Sequence, residues 1–313
     1  MPFKNVAQKF NASIVEVVIG TGESALALGG ENVFPLYSFD GDIPNPPRVG
    51  IEFSDSGPDR SMPGIAGFYQ GAASIAEITK RACEKSGADF VSLVLEGADP
   101  NGRNVSVEEC VALCAEAAGA ATIPLVIQGC KNFEKDSKLF EKIAETLQGK
   151  NVLLLSAREE NYKTVAVAAI QAYGQKAGAE SAVDINLAKQ LNVLVSQLGV
   201  QAGNTVMNLG SAAAGYGFEY VISTMDRVRS AALAQDDTML QMPVITPVGG
   251  EAWSVKESVV SEEDFPDWGP AERRGIDMEI ATATADIASG SNAVILRHPE
   301  SVTVVKKLIA ELV

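Results

Sequence analysis

Apolar and polar positions along the chain repeat with two alternating periods. Short apolar runs of strand length begin at Val49 (VGIEF), Phe90 (FVSLVLE), Ile123 (IPLVIQG), Asn151 (NVLLLSA), Ser181 (SAVDIN), Thr205 (TVMNLG), Pro243 (PVITPV) and Ala293 (AVILRH). Most lack polar alternation, as expected of parallel strands covered on both faces. Between them the period lengthens to that of a helix. Residues 136–148 place Leu139, Phe140, Ile143 and Leu147 on one face. Residues 300–312 do the same with Val302, Val305, Leu308, Ile309 and Leu312. Start and stop signals agree with this reading. Ser106 with Glu109 forms a capping-box pattern, and Pro299 suits a first helical turn. Gly87, Gly119, Gly149, Gly199 and Gly290 follow helical stretches, where a residue at positive φ ends a helix.

The repeat amounts to eight strand–helix units over residues 49–313. That predicts an α/β fold, a (β/α)8 TIM barrel, which takes roughly 250 residues. A doubly wound sheet is the alternative. It often carries a Gly-rich turn after its first strand, whereas SDSGPDRSMPG here lacks GxGxxG. Residues 1–48 fall outside the repeat and read as an N-terminal β extension. Ile14–Ile19 and Val33–Phe39 are its expected strands, with Gly29–Gly30 as the turn and PNPP at 44–47 as a stiff connection. The extension is expected to plug the bottom of the barrel, with a partner-binding flap as the alternative. The longest insertion, roughly 247–274, follows the seventh barrel strand. Long loops in compact domains are commonly functional or mobile.

Composition narrows the function classes. Forty Asp and Glu against 25 Lys and Arg give a net charge of −15 over 313 residues, which argues against a nucleic-acid surface. The start, MPFKNVAQKF, has no apolar targeting core, and no run approaches 18 apolar residues. A cytoplasmic location with reduced thiols is expected, without a membrane partner. The single histidine, His298, leaves little room for His-rich metal sites.

In a barrel, chemistry sits at the C-terminal strand ends. There the sequence offers Asp55, Asp59, Glu96, Asp99, Asn101, Gln128 and Cys130, then Asp184, Asn186, Asn208, Thr246, Glu251, Trp253, Arg297 and His298. Carboxylates and amides dominate. Lys131 is the nearest lysine, so a Schiff-base enzyme has no convincing nucleophile. Charge alone would let Asp55, Glu96 and Asp184 hold a divalent ion, but the plainer reading is hydrogen-bonded loop anchors. Cys110 and Cys114 lie four apart on one helix face, which suits small core residues better than a cluster. Cys130 is positioned to face the mouth. His298 reads as a general base or as a structural residue, and Trp253 as a stacking platform or as a loop anchor. EEDFPDW reads as a solvated acidic loop, with partner contact as the alternative. No catalytic residue and no metal site are assigned.

Several motifs together resemble one family. DINLAKQLNVLV (184–195), GYGFEY (215–220), MPVITPVGGEAW (242–253) and LRHPESV (296–302) are similar to the small (delta) subunit of the corrinoid iron–sulfur protein of the acetyl-CoA decarbonylase/synthase system. EGADPNG (96–102) and EENYK (159–163) fit as well, in order and at matching spacing through nearly the whole barrel. The resemblance implies a (β/α)8 barrel in a heterodimer, paired with a larger subunit that carries an iron–sulfur cluster and the main corrinoid-binding domain. The corrinoid (cobalamin) would lie between that domain and the barrel mouths. It would take a methyl group from methyltetrahydrofolate, or a related pterin, through a methyltransferase. It would deliver that group to acetyl-CoA synthase/CO dehydrogenase in the reductive acetyl-CoA pathway of anaerobes. Under that resemblance, strand-end geometry places Asn208, Glu251, Trp253, Arg297 and His298 near the corrinoid or the subunit seam.

One departure stands out. Where the family tends to read Asp-Pro and then Gly-Gly before GYG, this chain has NLGSAAAGYG at 208–217, with Asn208 and Leu209 in the Asp-Pro positions. An acid–base role there is in doubt, while packing and amide hydrogen bonding remain open. Two other function classes stay in view. One is a stand-alone methyltetrahydrofolate–corrinoid methyltransferase, with Asp184 and Asn208 contacting the pterin. The other is an unrelated barrel enzyme such as a lyase.

Overall fold

Seven of the eight apolar runs form barrel strands in the computed structural model, which describes residues 6–313. A short hairpin, β1 (Val17–Ile19) and β2 (Leu26–Leu28), comes first. The barrel strands are β3 (Arg48–Ser54), β4 (Phe90–Val94), β5 (Leu125–Gln128) and β6 (Leu153–Ala157). They continue as β7 (Lys176–Glu180), β8 (Thr205–Asn208), β9 (Val244–Pro247) and β10 (Ser291–Leu296). All pair in parallel in sequence order, and β10 pairs with β3 to close the ring.

The fifth barrel strand is not the expected SAVDIN. It is Lys176–Glu180, KAGAE, whose small residues have weak strand preference. Barrel packing selects it: a Cβ on Gly178 would lie 2.5 Å from Leu155 Cδ2, so only glycine accommodates that leucine. Ser181–Val183 continue beyond the strand, and Asp184 caps the helix Ile185–Gln197 by accepting from the backbone N–H groups of Asn186 and Leu187. Gly119 also differs from expectation. It lies inside the helix Val107–Ala120, while Gly87, Gly149, Gly199 and Gly290 do take positive φ.

The outer helices bury the faces the pattern marked. Leu139, Phe140 and Ile143 are fully buried on the helix Phe133–Thr146. Each contributes about 1.5–3 kcal/mol by leaving water. On the helix Pro299–Leu312, Val302, Val305 and Ile309 are buried, whereas Leu312 at the last turn is exposed. Ser106 and Glu109 form the expected capping box. Among the described residues, no helix is long and apolar enough to cross a membrane.

The N-terminal hairpin is tighter than expected. Its second strand is Leu26–Leu28, and its turn falls at Gly20–Ser24. Val33–Phe39 forms turns instead, interrupted by Pro35, and Gly29 and Gly30 follow the hairpin at φ of +82° and +93°. Val17, Ile19 and Leu28 share one apolar cluster with the inward side chains Phe90, Val126, Leu153, Val206 and Ile295. The hairpin therefore plugs the barrel's N-terminal end. Asn151 fastens it: its Nδ2 donates to the carbonyls of Val18 and Gly20, both at 2.9 Å. Asn151→Ala is expected to cost about 1–3 kcal/mol, because two carbonyls lose their donor. Urea denaturation monitored by circular dichroism checks this, and an unchanged midpoint would show that the plug is held by apolar contact and backbone hydrogen bonds without the Asn151 side chain.

Candidate functional site at the barrel mouth

Strand alternation builds the mouth. Side chains at every second position point inward. Below the mouth these are Phe90, Val126, Leu153, Val206, Ile245 and Ile295, a dry interior. Near the C-terminal ends of several strands the inward position is polar: Glu52 on β3, Gln128 on β5, Glu180 on β7, Asn208 on β8 and Arg297 just past β10. Together with Ser156, Arg158 and Glu251 they line a cavity of about 250 Å³.

Two ion pairs organise it. Arg297 donates from Nε (3.0 Å) and Nη2 (2.8 Å) to Glu52 Oε1. Glu52 is only 3% exposed, and its other oxygen accepts from Gln128 Nε2 at 3.1 Å. Gly249 permits this arrangement, since a Cβ there would lie 2.5 Å from Glu52 Oε1. Across the mouth, Arg158 Nη2 donates to Glu180 Oε1 at 2.5 Å. Asn208 Nδ2 donates to Glu180 Oε2 (3.3 Å) and Ser156 Oγ (3.2 Å), while its Oδ1 accepts from the Gly210 N–H. Six carboxylates (Glu52, Glu96, Asp99, Asp136, Glu180, Glu251) face three cations (Lys131, Arg158, Arg297) around the cavity. The two guanidiniums are already neutralised, so the mouth presents an acidic, amide-bearing surface.

The cavity opens sideways into a second lobe of about 450 Å³, walled by Leu187, Leu191 and Leu194. Ser181 and Ser211 border this lobe, and their hydroxyl oxygens are buried without a hydrogen-bond partner.

No nucleophile is poised here. Burial pushes the Cys130 thiol up to about 12, and neighbouring Asp136 adds to the rise, so the reactive thiolate is scarce at neutral pH. Lys131 is solvent-exposed and sits 3.5 Å from Glu251. Among the described residues, no three His, Cys, Asp or Glu side chains group as metal ligands. Asp55 instead accepts from the Gly97 N–H, and Asp184 is the helix cap already described.

Trp253 and His298 lie behind the mouth rather than on it; each is 4% exposed, and their rings stack with centroids 6.0 Å apart. His298 Nδ1 accepts from the Glu300 N–H, and its Nε2 faces Glu272 at 3.4 Å. Burial lowers the His298 pKa, so the ring is neutral at neutral pH. Glu279 on the helix Ala271–Ser289 accepts from the backbone N–H groups of Arg297 (2.5 Å) and His298 (3.2 Å). It thereby fixes the backbone that carries Arg297 into the mouth. Gly275, on the same helix, admits the Trp253 ring, because a Cβ would come within 2.1 Å of it. Gly275→Ala is expected to cost about 1–3 kcal/mol by overpacking. Its thermal midpoint should fall, and an unchanged midpoint would mean that Trp253 can shift freely.

Comparison with known proteins now bears on identity. The sequence pattern of the CO dehydrogenase/acetyl-CoA synthase delta subunit family matches residues 16–306. The chain belongs to that family. The delta subunit of the acetyl-CoA decarbonylase/synthase complex of Archaeoglobus fulgidus is 32% identical over 98% of this chain and 70% of its own length. The delta 1 subunit of Methanosarcina thermophila is 31% identical over 97% and 71% respectively. A delta 2 subunit of Methanosarcina acetivorans is 32% identical over 92% of the chain, which spans 66% of it. Among solved structures, dihydropteroate synthase from Xanthomonas albilineans with 4-aminobenzoic acid superposes with a TM-score of 0.57 at 12% identity, covering 95% of this chain and 98% of that one. The Stenotrophomonas maltophilia enzyme gives 0.54 at 13%, covering 86% and 93%. Those likenesses show the TIM-barrel fold.

Within this delta-family barrel, strand-end reasoning found Glu96, Asp99, Gln128, Cys130, Asn208, Glu251 and Arg297 at the mouth. Asp59 lines a neighbouring cavity, Thr246 is buried against Ser291, Asn101 is exposed on a loop, and Asn186 is in the first turn of the helix Ile185–Gln197. Sequence reasoning missed Glu52, Ser156, Arg158, Glu180 and Glu279. Glu52 did leave a signal, as the one charged residue inside the apolar run VGIEF. Glu180 left none, because its strand was not recognised.

Proposed function

We propose that this delta-family barrel is the small subunit of a heterodimeric corrinoid iron–sulfur methyl carrier. In this reading it helps a larger, cluster-bearing subunit to enclose the corrinoid. The methyl group arrives from methyltetrahydrofolate through a methyltransferase and leaves to acetyl-CoA synthase/CO dehydrogenase in the reductive acetyl-CoA pathway. The observation that carries the proposal is the mouth itself: acidic, rich in amide and hydroxyl groups, with its guanidiniums neutralised and no poised nucleophile. Such a surface suits a macrocycle bearing neutral amide arms, and it disfavours polyanionic substrates. When bound, cobalt supplies the methyl-carrying chemistry, so the protein needs no nucleophilic side chain.

The residues fit that group. Asn208 and Gln128 place amides in the lining, Ser211 lies on the wall shared with the side lobe, and Glu251 and Arg297 border the same opening. The cavity is too small to enclose a corrin ring, which fits a cofactor lying over the mouth and shared with a second subunit. Trp253 and His298 support this surface from behind.

Isothermal titration of the purified full chain with methyltetrahydrofolate tests the assignment. No tight pterin binding is expected. Tight binding that disappears in Asn208→Ala would overturn the carrier reading and make the chain an independent methyltransferase.

A further inference from the structure

A second feature of the same end of the barrel lies outside the mouth. The loops after β8 and β9 are tied together by Tyr216, whose hydroxyl donates to Glu257 Oε2 at 2.6 Å. Beside this contact is an open depression of about 520 Å³, walled by Ala214, Met278 and Ala281 and overhung by Trp268. Trp268 stands on a single 3₁₀ turn and is 39% exposed. It is held firmly for a surface residue. Phe265 packs beside it at 4.4 Å, Lys256 lies 5.4 Å from its ring centroid, and Arg274 lies 5.6 Å away. Arg274 also donates to the carbonyls of Gly269, Glu257 and Val260, which clamps both ends of the insertion. Val259, Tyr216 and Tyr220 are also exposed on this insertion and on the loop and helix after β8.

We propose that this Trp268 platform is a docking surface for a lysine-bearing segment of another protein subunit. Charge complementarity selects that occupant. The insertion carries Glu262, Glu263, Asp264 and Asp267 within six residues of Trp268 in sequence. Lys256 and Arg274, the cations beside them, are spent on the aromatic rings and on backbone carbonyls. Glu263 and Asp267 make no ion pair among the described residues. An aromatic anchor already fixed in place loses little conformational freedom on binding, and a rim of one sign steers the opposite sign toward it. The same negative rim disfavours a second copy of this acidic chain.

The test uses the tagged full chain purified with its co-purifying subunits from its own cells. Carbodiimide links carboxylates directly to amines. Mass spectrometry is expected to find links from residues 262–267 to lysines of a co-purifying subunit. The exposed double variant Glu263→Lys/Asp267→Lys should retain that subunit about tenfold less at moderate salt, with an unchanged thermal midpoint. Trp268→Ala should weaken retention similarly. Links confined to copies of this chain, the absence of links, or unchanged subunit retention in the charge-reversed variant would each overturn the proposal. These outcomes do not depend on corrinoid, so they separate from the fate of the methyl-carrier reading.

Discussion

Arg297→Met is expected to lower folding stability by about 3–5 kcal/mol, because it strands a buried carboxylate. Glu52 is 3% exposed, and its Oε1 has both guanidinium donors as partners. Without them it retains only Gln128. Removing both charges, in Glu52→Gln/Arg297→Met, should restore most of the loss, since a buried pair replaced as a unit leaves no uncompensated ion. Denaturant unfolding of the two variants checks the claim. Equal losses in both would mean that packing, rather than charge compensation, dominates at this end of the barrel. Function should follow the single variant too. Arg297 forms part of the wall between the mouth and a side cavity that reaches Tyr69, so the mouth's shape rests on that pair.

Glu279 should give the barrel a pH dependence of stability that runs opposite to ordinary acid denaturation. It is wholly buried, and burial pushes its carboxyl up to about 7 from an ordinary value of 4.5. Between those values the native chain keeps a proton that the unfolded chain has released. Stability from this group is therefore complete below about pH 4.5, declines as pH rises to about 7, and is flat above. The full excursion is on the order of 3 kcal/mol. Asp286, buried on the same helix with both oxygens unpartnered, has the same sign. His298, lowered by burial, has the opposite sign. The difference between wild type and Glu279→Gln isolates the Glu279 part. It should be near zero at pH 4.5 and favour the variant by pH 7. A constant offset across that range would show that Glu279 does not change protonation on folding.

The parts of the fold that were legible in sequence were those where local pattern and tertiary role agree. Phe133–Thr146 and Pro299–Leu312 carry their buried faces at helical spacing, and the Ser106 capping box marks its own helix start. The fifth barrel strand was not legible, because its small residues have weak strand preference and Gly178 is required by the Leu155 side chain beside it. Missing that strand hid Glu180, the partner of both Arg158 and Asn208. The hairpin's second strand was misplaced because Leu26–Leu28 is only three residues long, while the longer apolar stretch at 33–39 is broken by a proline. At the mouth, position along a strand was readable but depth was not. Trp253 and His298 follow strands as Glu251 and Arg297 do, yet the room made by Gly275 draws Trp253 inward and Glu279 holds the backbone at His298. Glu279 is eighteen or more residues from any mouth residue in sequence, and only the helix's packing on β10 brings it there.

The most direct test of the methyl-carrier assignment is an absorption spectrum of this chain, purified without oxygen by an affinity tag from its native cells. The expected result is a larger subunit in equal amount, with corrinoid and iron–sulfur bands in the visible range. A colourless chain that comes off the column alone would contradict the assignment.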